Sequence, residues 1–248
     1  MKKFALVIAV MALVLLVGQT AFAAGSNAGL KLGYTQGVGD FNVMAATLNT
    51  SYSAFQLGLS ANYYTKINVS ASLKLDLGFG KTIISIPLAN TLKTFMFNLH
   101  VFVKYDVFNS YGVSIAPQIG FILDSDKSKT IESPGDPHWL GHERSAIFVA
   151  AGIFVKVNIT PKFELYLDAK TPVYYSYSCD YKSLDYSGFF EAIFYDITLG
   201  GLYEVVPNLF VGIDGNISTA TTKQLSAYID ELDNSFTFSV GAKIEFKF

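Results

Sequence analysis

The chain has 248 residues, a formal net charge of -2 and a balance of 51% hydrophobic, 15% aromatic and 15% charged residues. So small a charge offers no field for nucleic acid, and so apolar a composition needs something other than water against much of its surface. The single cysteine, Cys179, excludes a disulfide framework and a cysteine-based metal cluster.

At the N-terminus Lys2 and Lys3 precede an apolar run from Phe4 to Gly18, and Ala21-Phe22-Ala23 follows before Ala24. A basic start, an apolar stretch and a small-residue site predict a signal peptide over residues 1–23 and a mature chain over 24–248. A retained anchor is the alternative, and the Ala-x-Ala site directly after the run argues against it. No Cys stands at the junction to carry a lipid. Beyond residue 23 the longest apolar run, Ala146 to Val155, is half of the about 20 residues that a spanning helix requires.

From residue 28 onward the pattern has period 2. Leu30 to Tyr34 and Phe55 to Tyr63 open it, the first weakly. Between Ile67 and Phe79 it is clearest: Ile67, Val69, Ala71, Leu73, Leu75, Leu77 and Phe79 alternate with Asn68, Ser70, Ser72, Lys74, Asp76 and Gly78. A strand puts the first set on one face and the second on the other, whereas a helix would scatter both. Alternation returns in Phe95 to Tyr105, Val113 to Leu123, Ile147 to Val157, Phe163 to Val173, Ile193 to Tyr203, Leu209 to Ile217 and Phe236 to Phe248. The fold class predicted is therefore all-β, a transmembrane antiparallel up-and-down barrel of about ten strands.

Connections alternate in length. Short ones fall around 64 to 66, 107 to 111, 159 to 162 and 204 to 208, and long ones around 37 to 52, 80 to 93, 124 to 145, 175 to 189 and 220 to 234. Tight periplasmic turns opposite long external loops are the habit of outer-membrane barrels, and an even strand number returns both termini to one side. Aromatics flank the apolar stretches as girdles should: Tyr63, Tyr105, Phe163, Tyr203 and Phe248 by the short turns, and Tyr34, Phe79, Phe95, Phe121 and Phe236 by the long loops.

In a soluble barrel the apolar face would point inward. Here the alternate face carries Lys74, Asp76, His100, Lys104, Asp106, Gln118, Lys156, Glu164, Asp168, Lys170, Asp196, Asp214, Lys243 and Glu245. These are the expected lumen-lining residues, a polar interior inside an apolar exterior. With Lys31 and Lys247 added the signs nearly balance, which favours an ion-paired plug over a strongly selective pore, since wide channels belong to barrels of about 16 strands or more. Small residues such as Ser72, Ala116, Gly152 and Gly212 leave room for a narrow path as the alternative.

The last residues, Phe236 to Phe248, form an alternating strand that ends in phenylalanine. It resembles the terminal strand of bacterial outer-membrane proteins, OmpW-like and opacity-type barrels among them, and the resemblance covers residues 28 to 248. It implies location in the outer membrane, contact with its lipid, and reading of Phe246 and Phe248 by the barrel-assembly machinery.

No cofactor or metal is expected. His138 and His142 have the spacing of a helical metal site, but Pro134, Gly135, Pro137 and Gly141 oppose a helix. A rim protease like the omptins finds no matching motif, and no serine stands out as a partner for histidine, so no enzyme is expected. Two stretches invite surface contact with a host or surface ligand. One is the apolar segment 82 to 89, with Ile83, Ile84 and Ile86, whose favoured placement is folded into the lumen mouth. The other is the tyrosine-rich segment with Tyr175, Tyr177 and Tyr181.

Overall fold

The computed structural model describes residues 26–43, 46–65, 67–85, 90–130, 142–179, 184–188, 193–221 and 234–248. The signal peptide expected over 1–23 lies outside them. In chain order the strands are β1 (Asn27–Val43), β2 (Ala46–Tyr64), β3 (Val69–Ser85), β4 (Asn90–Tyr105), β5 (Phe108–Ser110) and β6 (Val113–Thr130), then β7 (His142–Thr160), β8 (Phe163–Cys179), β9 (Leu184–Gly188), β10 (Ile193–Val206), β11 (Leu209–Thr221) and β12 (Asn234–Lys247). Among the described residues ten long strands pair antiparallel, each with its sequence neighbour. Pairing of β12 with β1 and of β10 with β8 closes the ring. Two short strands stand outside it, β5 against β6 and β9 against β8.

The alternation read from the sequence becomes a wall and a lumen. On β3 even-numbered Ser70, Asp76 and Thr82 are buried and odd-numbered Leu73 and Phe79 are exposed, and β4, β6 and β10 repeat this parity. Leu32, Phe55, Ile119, Leu199 and Ile213 are between 58% and 73% exposed. A wall of such residues all round is stable only against lipid, because water-soluble monomers rarely expose apolar patches above a few hundred Å². Closure follows from the same setting: in hydrocarbon an open sheet edge would leave its N–H and C=O groups without partners.

Aromatic rows bound the wall. Tyr34, Phe55, Phe79 and Phe95 are successive register partners on β1 to β4, with ring centroids 5.8 Å apart for Tyr34 and Phe55 and 5.2 Å for Phe79 and Phe95. From Tyr63 to Phe55 on β2, or Tyr105 to Phe95 on β4, the strand advances ~27–34 Å. Tilted by ~40°, that run gives a band close to the ~25 Å expected of an outer-membrane barrel.

The external connections are corrected by the structure. The stretches 37 to 52 and 80 to 93 were expected as long loops, yet β1 and β2 are paired as far as Val43 with Ala46, and β3 and β4 as far as Ile84 with Asn90. β6 likewise runs on to Thr130 and β7 begins at His142. Beyond the girdle the outward positions turn polar, as with Ser51, Ser53, Lys81 and Lys93. A sheet outside the hydrocarbon needs no apolar face, so the period-2 signal ends while the strands go on. At the other end the turns are tight. Tyr111 and Gly112 join β5 to β6 with φ of 54° and 75°, both left-handed as a type I′ hairpin requires.

Several lumen-facing glycines let neighbouring strands approach closely. A Cβ at Gly212 would lie 1.9 Å from the carbonyl oxygen of Gly201, which is backbone and cannot yield. Gly212→Val is expected to destabilise the folded barrel by about 1–3 kcal/mol, read as a lower urea midpoint in lipid vesicles. Gly215→Ala, where the nearest atom is 3.8 Å away, is expected to leave the midpoint unchanged.

Candidate functional site

The lumen is where the wall's alternate residues converge. Lys74, Asp76, His100, Lys104, Lys156, Asp168, Lys170, Asp214, Lys243 and Glu245 line one cavity of about 280 Å³, together with Lys31, Glu164 and Lys247. Gln118 and Asp196 are buried beside it, at 5% and 7% exposure.

Opposite charges on this surface are coupled within and across strands. Lys74 meets Asp76 at 3.0 Å, Lys170 meets Asp168 at 2.6 Å and Lys243 meets Glu245 at 2.6 Å, each pair two residues apart on one strand. Others reach past a neighbouring strand. Lys31 of β1 pairs with Asp214 of β11, Lys247 of β12 meets Glu164 of β8 at 2.6 Å, and Gln118 of β6 donates to Asp168 of β8. The Tyr166 hydroxyl donates to Asp214 at 3.1 Å, and the Asn216 amide donates to Asp196 and Thr198 at 2.6 and 2.9 Å. Buried pairs of this kind add little net stability, because desolvation offsets their attraction, but they hold the strands at fixed separations.

Apolar residues share the lumen with these charges, and the sequence reading missed them. Phe102, Ile122 and Ala150 are at most 2% exposed and form a cluster against which Phe148 packs. They occupy lumen positions on β4, β6 and β7. The signal for them was present as apolar residues in the otherwise polar register, but the charged neighbours drew the reading. Ammonium groups lie over lumen rings as well: Lys104 over Phe154 at 3.9 Å, Lys247 over Phe210 at 3.8 Å and Lys170 over Phe102 at 5.1 Å.

A second cavity of about 240 Å³ lies at the short-turn end, lined by Tyr64, Ser70, Asp106, Asn109, Gly112, Ser114 and Asn158. Lys104, Tyr64, Phe154 and Lys156 line both cavities. In the lumen the Nδ1 of His100 and the Oε1 of Gln118 are buried without a hydrogen-bond partner in the protein, which suits ordered water.

The contact candidates fall differently from expectation. Ile83 is on β3 and points outward at 44% exposure, so segment 82 to 85 does not fold into the lumen mouth. Ile84 is on the same strand, and Ile86 and Tyr181 lie outside the described residues. Tyr177 is on β8, opposite Tyr186 of β9. Tyr175 is corrected outright. An irregular register step between Val149 and Ala150, opposite Tyr174 and Pro172, switches the parity of β8 and turns Tyr175 inward to 3% exposure beside Phe148. Of the histidines, His100 is buried in the lumen, His142 begins β7 and His138 lies outside the described residues.

Bacterial outer-membrane barrels are similar to this chain in structure. The outer membrane protease OmpT from Escherichia coli is 13% identical, with 90% of this chain and 97% of that one covered and a TM-score of 0.65. The transport unit of the autotransporter AIDA-I from Escherichia coli is 12% identical over 89% of this chain and 90% of that one, with a TM-score of 0.47. An outer-membrane channel from Pseudomonas putida F1 is 10% identical over 91% and 97%, with a TM-score of 0.44. Identities this low speak for the fold and not for an activity. No family model and no curated protein matches the sequence. Fold and apolar wall together define an integral β-barrel of the bacterial outer-membrane class.

The Lys31 and Asp214 side chains are each 7% exposed. Lys31→Met strands a buried carboxylate and is expected to cost about 3–5 kcal/mol of folded stability. Adding Asp214→Asn is expected to restore most of it. Urea unfolding of both variants in vesicles checks the pair.

Proposed function

We propose that the protein is a barrel without open conduction, which acts as a structural and surface-interaction element through the sheet that stands outside the membrane. The observation that carries this reading is the filling of the lumen: the buried cluster of Phe102, Ile122 and Ala150 beside the ion pairs of Lys170, Lys31 and Lys247. A lumen of ten strands is narrow enough for side chains to fill it. The external sheet supports the second half of the reading. On β2, residues 46–54 extend beyond the girdle residue Phe55 by ~30 Å of strand, a rigid platform for contact with a host or surface ligand.

A narrow channel is the second reading, favoured by the two cavities that share Lys104 and Lys156. Planar-bilayer recording of the refolded mature protein separates the two. Electrical silence is expected of the wild type, and leak is expected of a Phe102→Ala, Phe148→Ala variant. Reproducible unitary steps from the wild type would replace this proposal with a channel.

Export by the signal peptide at 1–23 and delivery by the barrel-assembly machinery belong to the same proposal. Phe246 and Phe248 close the last strand, their rings 5.1 Å apart, and the Phe248 amide donates to the carbonyl of Ser26 at the seam. Phe248→Ala is expected to lower the yield of heat-modifiable barrel in the outer membrane. An unchanged yield on a gel of membrane fractions would remove the assembly role.

A further inference from the structure

The outer wall changes character just past the aromatic row. On the register one step beyond Tyr34, Phe55, Phe79 and Phe95, the successive partners are Gln36, Ser53, Lys81, Lys93 and Lys129 on β1, β2, β3, β4 and β6. Lys127 stands opposite Phe95, one row nearer the membrane. Lys81, Lys93 and Lys127 are exposed and belong to the outward parity of their strands.

Carboxylates of the same strands do not answer Lys81 or Lys93, whereas Lys127 stands opposite Glu143 of β7. Asp124 and Asp126 alternate with the outward residues of β6 and take lumen positions, Asp126 at 7% exposure. No Asp or Glu occurs at an outward position of β3, β4 or β6 beyond the girdle. Neither Lys81 nor Lys93 has an ion-pair partner among the described residues. Directly opposite like charges on neighbouring strands oppose pairing, so the facing lysines Lys81 and Lys93 are a cost unless an anion lies over them.

Depth identifies the anion. Aromatic girdles sit at the edge of the hydrocarbon, and two residues further along a strand is ~7 Å, the zone of lipid headgroups rather than bulk water. A lysine there meets the phosphate of a neighbouring lipid as its nearest counter-ion, and basic clusters at this level recognise anionic headgroups. Ile83, outward and 44% exposed, follows Lys81 on β3 and offers the same lipid an apolar contact.

We infer that the outward faces of β3 and β4 form a docking site for the phosphate groups of an outer-leaflet lipid, held by Lys81 and Lys93. The site concerns the wall, and it stands whether or not the lumen conducts.

The test compares the heat-modification midpoint of the refolded barrel in phosphatidylcholine vesicles with and without lipid A as the phosphorylated probe. The wild type is expected to gain midpoint with lipid A and to lose the gain at high salt, since exposed charges are screened. Lys81→Gln, Lys93→Gln is expected to fold equally well in phosphatidylcholine and to show no gain, and each single substitution is expected to lose part of it. A Lys162→Gln variant at the short-turn end is expected to keep the gain. A wild type indifferent to lipid A, or an equal gain in the double variant, overturns the site. An equal gain from inorganic phosphate alone overturns the assignment to lipid.

Discussion

Hydrocarbon satisfies no hydrogen bonds, and the rest of this structure follows from that constraint. Each backbone N–H and C=O within the apolar band must find a partner in the chain itself, which a sheet achieves only by closing. The seam is therefore as consequential as any side chain. β12 pairs with β1 from Asn27 opposite Lys247 to Val38 opposite Phe236, and β10 bypasses β9 to pair with β8. Lipid also dictates the wall, because a strand facing it alternates between a side chain chosen for hydrocarbon and one chosen for the interior.

Closure leaves a lumen that must be filled or flooded, and this chain fills it with unlike materials. Ion pairs such as Lys31 with Asp214 and Lys247 with Glu164 join strands that are not neighbours, while Phe102, Ile122 and Ala150 exclude water between them. The pairs offer little net stabilisation, and their worth is in fixing the spacing of the wall. What space remains lies in two cavities that meet at Lys104 and Lys156. The working surface in this reading is the external sheet and the basic wall just above the girdle, not the lumen.

Much of the architecture was legible because lipid imposes a pattern on residues in contact with it. Where Ile67 to Phe79 or Phe95 to Tyr105 crosses the bilayer, every second residue is apolar and the strand can be read by eye. The same rule explains what was misread. Ser51, Ser53, Lys81 and Lys93 continue those strands beyond the hydrocarbon, where neither face must be apolar, so the sequence there looks like loop. The basic row was hidden for that reason, since Lys81 and Lys93 become neighbours only once their strands are known to pair.

By itself the sequence determined the class of fold, the crossing segments, the girdles and which face of each strand avoids lipid, because hydropathy of period 2 is a local property that survives without knowledge of neighbours. Only the tertiary structure decided the rest. Partners across the lumen, such as Tyr166 with Asp214, depend on how far apart the strands come round the ring. The inward turn of Tyr175 depends on one irregular step against β7, and the lysine row depends on a register that no single strand contains. Periodicity is written along the chain, whereas register, closure and the contents of the lumen are relations between segments distant in sequence.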